Sequence, residues 1–223
     1  MGEDFMDTVL AGETLRLYAD RALYWPARRR LFVADLHLGK DDAFRARGIA
    51  LPRGGAHDDL GRLSALVERS GATSLWVLGD LLHGPHVDTR WQQDWARFRE
   101  RHANLDMLLV EGNHDRAAAR AGLGIAQVRD GVADGPFVFA HAPHRFADGD
   151  GGTRLAVGGH LHPVVRVGGF RGRFPAFAVI DRQLVLPAFS AFTGGWVPPQ
   201  AQARYACMRG HVLDIGPTRT LAM

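Results

Sequence analysis

The chain has 223 residues, of which 46% are hydrophobic and 23% charged. This balance excludes a disordered or fibrous protein, and the length suffices for one hydrophobic core, so we predict a single domain over residues 1–223. The net charge is +3, and Lys40 is the only lysine among the 27 basic residues. An arginine-rich surface suits an anionic partner, although a bias in codon usage explains the same composition.

The sequence predicts neither secretion nor a membrane span. The first ten residues contain Glu3, Asp4 and Asp7, where a signal peptide needs a basic start and an apolar run. No stretch reaches the ~18 apolar residues of a membrane span. The only cysteine, Cys207, excludes an intramolecular disulfide and disfavours a sulfur-ligated zinc site. We therefore expect a cytoplasmic protein without membrane contact.

Apolar runs and helical spacings alternate through the first half of the chain. Buried strands are predicted at 31–34, 74–78, 105–110 and 137–140, and helices at about 57–69 and 91–102. This alternation implies a mostly parallel sheet with right-handed crossovers. After Ala140, short strands separated by glycine and proline favour an antiparallel second half, and residues 149–152 are the best candidate for a mobile loop.

Polar side chains able to bind metal or transfer protons follow each predicted strand. They are Asp35-Leu36-His37, Gly79-Asp80, Gly112-Asn113-His114-Asp115 and His141, and the segment Gly158-Gly159-His160-Leu161-His162 adds two imidazoles. Because the carboxyl ends of strands in an open α/β sheet face one crevice, residues distant in sequence converge there. Carboxylate, imidazole and carboxamide groups together can hold two divalent ions, and they suit manganese, iron or zinc better than calcium or magnesium.

The motifs are informative as a set and not singly. A lone Asp-x-His or His-x-His is more often a capped turn or a surface histidine. Here five of the eleven histidines fall in the motifs, every motif follows an apolar run, and glycines precede three of them. No purely structural role accounts for the whole set, so we predict a metal centre.

The ordered signature D-x-H, GD, GNHD, a lone His and GH-x-H, over residues 31–163, resembles the calcineurin-like metallophosphoesterases. The resemblance implies an α/β (α+β) fold, a four-layer α-β-β-α sandwich of two mixed sheets flanked by helices. It also implies two divalent ions, with manganese expected and iron or zinc as alternatives. It assigns Asp35, His37 and His162 to one ion, Asn113, His141 and His160 to the other, and Asp80 to both as a bridge.

Flanking segments narrow the resemblance to the bacterial ligase-associated DNA damage response endonucleases called the PdeM family. These segments are residues 21–26, 38–40, 44–45, 81–83, 186–189 and 192–195. The family implies a DNA endonuclease that acts in DNA repair on single-stranded or flexible DNA. It also implies a functional association with an ATP-dependent DNA ligase, a helicase and an exonuclease-like protein.

The same residues suggest a mechanism. Two ions about 3.5–4 Å apart can share a bridging hydroxide as the nucleophile and clamp the entering and leaving oxygens of an in-line displacement at phosphorus. His114, assigned to neither ion, is predicted to protonate the leaving oxygen or to stabilise charge on the phosphoryl group. Asp115 is predicted to orient His114 or to keep it protonated. The alternative for Asp115 is the N-cap of a helix that begins near Arg116.

Four further residues are candidates for contact with substrate. Lys40 and Arg45 follow the first ligand motif closely and are predicted to bind phosphates that flank the scissile one, the alternative being a solvated helix face. His83 follows Asp80 and is predicted to contact substrate or support a ligand, as is His86. An ordinary surface or core histidine is the alternative for both.

Two rival functions stay open at the level of sequence. One is a metallophosphoesterase that hydrolyses a small molecule, such as a cyclic nucleotide, a dinucleoside polyphosphate or a lipid-linked diphosphate. The other is a non-catalytic scaffold that uses the same fold to bind protein. A deep closed pocket would favour the first, and missing ligands would favour the second.

Overall fold

A computed structural model of the protein describes residues 4–49, 54–84, 89–115, 121–129, 131–146 and 153–218. Two mixed β-sheets pack face to face in this part of the chain. The first sheet contains, in spatial and chain order, β1 Phe5–Leu10, β2 Glu13–Tyr18, β3 Ala22–Trp25, β4 Arg30–Val33, β5 Ser74–Leu78, β6 Asp106–Val110 and β7 Ala126–Val128. Strands β1 to β4 pair antiparallel, and β4 to β7 pair parallel.

The second sheet contains β8 Val132–Asp134, β9 Phe137–Phe139, β10 Leu155–Gly158, β11 Val164–Val165, β12 Phe174–Ile180, β13 Gln183–Val185, β14 Ala203–Met208 and β15 His211–Asp214. Its order is β15-β14-β12-β13-β10-β9-β8, with β11 paired to β12. The prediction of an antiparallel second half is wrong at its centre, where β10 runs parallel to both β9 and β13. The segment between β9 and β10 is long enough for a crossover, and a hairpin turn is therefore not required.

Three α-helices are described: α1 Lys40–Ala46, α2 Gly55–Ser70 and α3 Thr89–Arg101. The central strands β4 and β5 of the first sheet are mostly apolar and buried because both of their faces are covered. Along β4, Leu31 and Val33 pack against α2 and α3, whereas Phe32 and the following Ala34 face the second sheet. No helix among the described residues is long and apolar enough to cross a membrane.

The core between the sheets is aromatic. Phe32 stacks on Phe139 with 4.4 Å between ring centroids, and Trp25 meets Phe137 edge to face at 5.0 Å. A fully buried phenylalanine contributes about 3–5 kcal/mol to folding, judged by truncation to alanine. This core fixes the two sheets against each other, and with them the strand ends on which the site is built.

The predicted sandwich of two mixed sheets is confirmed. One detail differs, because the described helices α2 and α3 lie on the first sheet only. On the outer face of the second sheet, Val165 of β11 packs on Ala176 and Ala206 and covers part of that face. The parallel strands β4, β5 and β6 of one sheet and β9 and β10 of the other direct their carboxyl ends to one edge of the sandwich.

Candidate metal centre

The loops that leave these strands hold their polar residues in a strained backbone. Five non-glycine residues of the site have left-handed φ angles: Asp35 56°, His37 50°, Asp80 50°, His160 71° and His162 48°. They are half of the ten described non-glycine residues with positive φ. Each such conformation costs about 1–3 kcal/mol and persists only where surrounding contacts impose it. Because the strained residues cluster here, we infer that the conformation of these loops serves to orient their polar side chains toward one another.

Backbone hydrogen bonds join the loops to one another. The Asp35 N–H donates to Gly79 O at 3.0 Å, and the His37 N–H donates to Asp80 O at 2.8 Å. The Ser190 N–H, on the segment after β13, donates to Asp35 O at 3.2 Å. Loops from both sheets are therefore held in register around Asp35.

A first group of candidate ligands consists of Asp35, His37 and His162, whose ligand atoms all lie within 4.8 Å of one another. Asp35 Oδ1 lies 3.3 Å from His162 Nε2. Both atoms, and His37 Nδ1, are buried and have no hydrogen-bond partner. Leaving a buried polar atom unpaired costs about 1–3 kcal/mol. A divalent cation at this point would satisfy Asp35 and His162 at once, so the residues fit a metal ion.

The second group consists of Asp35, Asp80 and His141. His141 Nδ1 donates to Leu78 O at 3.2 Å, a tautomer that leaves the Nε2 lone pair free. Within reach of this Nε2 lie Asn113 Oδ1 at 2.9 Å, His160 Nδ1 at 3.0 Å and Asp80 Oδ2 at 3.5 Å. Four electron-rich atoms converging on one point form the arrangement that a divalent cation stabilises.

All seven predicted ligands are thus brought together. The geometry places Asp35 in both groups and Asp80 in the second only. The division of the ligands between two ions, and the bridging role of Asp80, therefore stay predictions.

The protonation states of three of the four ligand histidines suit metal binding. Burial, with a smaller contribution from Lys40, lowers the pKa of His37 to about 2. Burial also lowers the pKa of His141 and of His160. Burial alone would lower the pKa of His162 as well, but the neighbouring Asp35 carboxylate outweighs it and the pKa is raised. Neutral imidazoles are the form that binds a metal ion, so His37, His141 and His160 are in the binding form. An ion at His162, in contrast, would have to displace its proton.

His37 should make the metal-free protein sensitive to acid. Because its pKa falls from 6.5 to about 2 on folding, the unfolded state binds the extra proton, and stability is lost as the pH falls below 6.5. His37→Asn removes this titration, so the stability of wild type relative to the variant should fall by about 2 kcal/mol between about pH 7.5 and 5. Urea unfolding in the presence of a chelator measures this difference. A difference that does not change with pH would contradict the buried, neutral state of His37.

Close approach requires glycine next to the ligands. A methyl group added at Gly112 would lie 2.2 Å from Asp80 Oδ1 and 2.5 Å from the Asp80 amide nitrogen. Gly112→Ala should therefore displace the Asp80 carboxylate, cost about 1–3 kcal/mol of stability, and lower the metal content of the purified protein. The matched control is Gly61→Ala in α2, where a methyl group meets open space and should raise stability by about 0.5–1 kcal/mol. Full metal content in Gly112→Ala would refute the steric argument.

His114 lies at the mouth of the site, with its side chain 41% exposed. Its N–H donates to Asp80 Oδ1 at 3.0 Å, and its Nε2 lies 4.0 Å from Asp80 Oδ2. The ring is stacked on His83 with 5.7 Å between centroids and meets His37 edge to face at 5.5 Å. It is therefore beside the ligand cluster and open to a substrate, as predicted for a proton donor.

The role predicted for Asp115 needs correction. Its carboxylate accepts hydrogen bonds from the Leu82 N–H and the Gly112 N–H, both at 2.9 Å, and the described residues show no contact between it and the His114 ring. Asp115 is buried, and burial raises its pKa. It joins the loops after β5 and β6 and so positions them. The helix predicted to begin near Arg116 lies outside the described residues.

Lys40 and Arg45, both predicted to contact substrate, have different surroundings in the structure. Lys40 lies half-buried beside the cluster, where burial lowers its pKa while Asp35 and Asp80 act in the opposite direction. Arg45 instead forms ion pairs with Asp41, at 3.2 Å, and Asp42 on its own helix, and its contact with a flanking phosphate stays a prediction.

His83 lies between two aromatic rings, a position that the sequence did not reveal. Phe44 stacks on one side at 5.9 Å and His114 on the other, so the three rings form a continuous column. Burial first, and Lys40 second, lower the pKa of His83 to about 4. A neutral imidazole packed in this way supports the position of His114. His86 and residues 149–152 lie outside the described residues.

Comparison with known proteins identifies the class that this fold and site define. The model of the calcineurin-like phosphoesterase family matches residues 28–212, and the chain belongs to that family. It is accordingly a metallophosphoesterase, a hydrolase whose family uses divalent metal ions. No curated protein was found to match the chain.

Among solved structures, the chain is similar to the nuclease MPE of Pseudomonas putida. The two are 36% identical, the match covers 95% of this chain and 100% of that one, and the TM-score is 0.79. The phosphoesterase Yfce from E. coli is 18% identical over 84% of this chain and 98% of its own, with a TM-score of 0.49. Only the first similarity is strong enough to support an argument about function.

Proposed function

We propose that the protein is a metal-dependent phosphodiesterase that cleaves DNA endonucleolytically, using two divalent ions and His114. The observation that carries this proposal is the end-to-end similarity to a nuclease, in a chain whose seven predicted ligands lie close together. Manganese is the expected ion, with iron or zinc as alternatives. A role in DNA repair beside an ATP-dependent ligase, a helicase and an exonuclease-like protein rests on the family resemblance alone.

Different residues of the site have different roles in the proposed reaction. When bound, divalent ions supply a nucleophilic hydroxide at neutral pH and stabilise negative charge at phosphorus. Asp35, Asp80 and the four ligand histidines hold them, with Asn113 as the neutral ligand. The exposed ring of His114 donates a proton to the leaving oxygen, and His83 keeps that ring facing the cluster. Asp115 holds the loops that carry Asp80 and His114 at a fixed separation.

Two observations weigh against the rival functions. A scaffold would not need buried, unpaired ligand atoms aimed at one point, which cost stability unless a cation binds there. A small-molecule esterase is favoured by an enclosed pocket, whereas here the ligand cluster lies between two clefts that open to solvent.

The test is nicking of single-stranded circular DNA by purified protein with added manganese. A chromogenic phosphodiester is assayed in parallel, and Asp80→Asn serves as the inactive control. We expect manganese-dependent linear DNA from wild type and none from the variant. Hydrolysis of the chromogenic ester with intact DNA would reject the DNA assignment and support a small-molecule substrate. Retention of both activities by an Asp80→Asn protein that no longer binds manganese would indicate a contaminating enzyme.

A further inference from the structure

Two clefts adjoin the ligand cluster, one at the second group of candidate ligands and the other at His162 of the first group. The Asn113 cleft, about 460 Å³, is bounded by Asn113, His141 and His160 and includes Arg129 and Arg145. The His162 cleft, about 550 Å³, is bounded by His162 and includes Arg21 and Arg173. Both volumes fall in the range of ligand sites. The metal centre therefore lies between two surfaces that each carry guanidinium groups.

Three of these arginines are free to bind a ligand. Arg129, Arg145 and Arg173 are exposed, and none has a side-chain partner within the described part of the chain. Many other arginines are committed, as Arg30 is to Asp134 at 2.6 Å. Arg21 is also committed, because it donates to Ser190 O at 3.0 Å. Unpaired guanidinium groups beside a phosphoesterase centre are placed to bind phosphate oxygens.

The charge of both clefts favours an anion. Glu111 also lines the Asn113 cleft, so its two arginines leave one net positive charge there. The His162 cleft contains Arg21 and Arg173 and no carboxylate. A substrate with a single phosphate would engage the metal centre and leave the guanidinium groups unused. A strand of nucleic acid carries phosphates on both sides of the scissile one and would engage both clefts.

We infer that the two clefts form one track for an oligonucleotide strand. Phosphates on one side of the scissile bond contact Arg129 and Arg145, and those on the other side contact Arg173. The inference rests on the proposed nuclease function and specifies its substrate as a strand with phosphates on both sides of the cut. Contacts to phosphate carry no base information, so cleavage should tolerate many sequences.

The Asn113 cleft also has surfaces that suit unpaired bases. Phe146 and His144 line it beside Arg145, and His144 lies 6.2 Å from His160 between ring centroids. Aromatic side chains next to cationic ones are the combination that binds single strands without sequence preference, because every base has a face on which to stack. The strand that lies in this cleft is therefore expected to be single.

The experiment compares two substrates that differ only in flanking phosphates. One is a single-stranded oligonucleotide of about a dozen nucleotides, and the other is a dinucleoside monophosphate, whose only phosphate is the scissile one. The variants are Arg129→Ala/Arg145→Ala and Arg173→Ala. The control is Arg97→Ala, which removes the same charge from an exposed position on α3. Values of kcat/KM are measured for each over a range of salt concentrations.

We expect each cleft variant to lose on the order of tenfold in kcat/KM on the oligonucleotide and nothing on the dinucleotide. The salt dependence should become shallower by about 0.7 in logarithmic slope for each phosphate that the variant no longer binds. Arg97→Ala should match wild type. Equal activity of all variants on the oligonucleotide would overturn the track, while leaving the nuclease function intact. Equal losses on both substrates would overturn it too, because the arginines would then act through the metal centre. Wild type that cleaves neither substrate, with its metals bound, would instead reject the proposed function.

Discussion

Asp80→Asn should lose DNA cleavage and, with it, the stabilisation that metal gives the protein. Asp80 lies in the second ligand group, with Oδ2 3.5 Å from His141 Nε2. At a metal concentration about 100 times Kd, binding to the folded state stabilises by about 2.7 kcal/mol. For a domain of this size that corresponds to a rise of about 5–10 °C in Tm. We expect this rise in wild type and none in the variant, measured by thermal unfolding with and without manganese.

Without metal, the Asp80→Asn variant should not be less stable than wild type. Burial raises the pKa of Asp80, with a smaller contribution from the nearby Asp35, and outweighs the opposing hydrogen bond from the His114 N–H. For an acid whose pKa rises on folding, the stability contributed by its protonated form is present at low pH and lost as the pH rises through the folded pKa. Asparagine stays neutral and can still accept the His114 N–H that now bonds Oδ1. The chelated variant should therefore be as stable as chelated wild type at neutral pH, or more stable.

The control is Asp106→Asn, the same chemical change at the start of β6, whose other end carries the site. This variant should keep metal-dependent stabilisation and activity. An Asp80→Asn protein that binds manganese as wild type does and cleaves DNA would refute the assignment of Asp80 as a ligand. A variant that unfolds even in chelator would instead reveal a structural role for the carboxylate.

The convergence of the ligands could be predicted from sequence because it depends only on strand ends. The apolar runs at β4, β5, β6 and β9 are buried or partly buried on both faces, so they can be recognised as apolar runs in the sequence. The first hairpin is different. Along β1 the burial alternates between partly buried and exposed residues, a weak pattern in a six-residue strand, and its pairing with β2 was not predicted.

Contacts between loops could not be predicted from the sequence. Asp115 is held by the amides of Leu82 and Gly112, partners that are close only after β5 and β6 pair in parallel. The column of Phe44, His83 and His114 likewise joins residues from three separate loops or helices. The pairing of Arg45 was visible in principle, because Asp41 and Asp42 precede it at helical spacings of four and three residues.

The left-handed φ angles of the ligand residues could not be predicted from local sequence preference, because they are imposed by contacts with other loops. Residues other than glycine rarely adopt a positive φ angle unless other contacts impose it. At Asp35 the imposing contacts come from Gly79 on the first sheet and from the His160 N–H on the second, which donates to Asp35 Oδ2 at 3.0 Å. The site is therefore formed by closure of the sandwich and not by any single strand-loop unit.

His114→Ala should bind metal normally and cleave DNA about 10²–10⁴-fold more slowly, the contribution typical of a general acid. The variant keeps the backbone N–H that donates to Asp80 Oδ1, so the ligand cluster should be undisturbed. With a leaving group that needs no proton, the loss of the His114 side chain should slow cleavage much less. We therefore expect a much smaller loss on a nitrophenyl phosphodiester than on DNA.

His57→Ala provides the control, because His57 is exposed and pairs with Asp94 between α2 and α3, away from the site. It should match wild type on both substrates. Metal content and single-turnover rates at saturating manganese separate the possible results for His114→Ala. Unchanged turnover on DNA would remove His114 from the mechanism. Equal losses on DNA and on the nitrophenyl ester would show that its ring stabilises the phosphoryl charge or positions the substrate, and that the proton reaches the leaving oxygen from elsewhere.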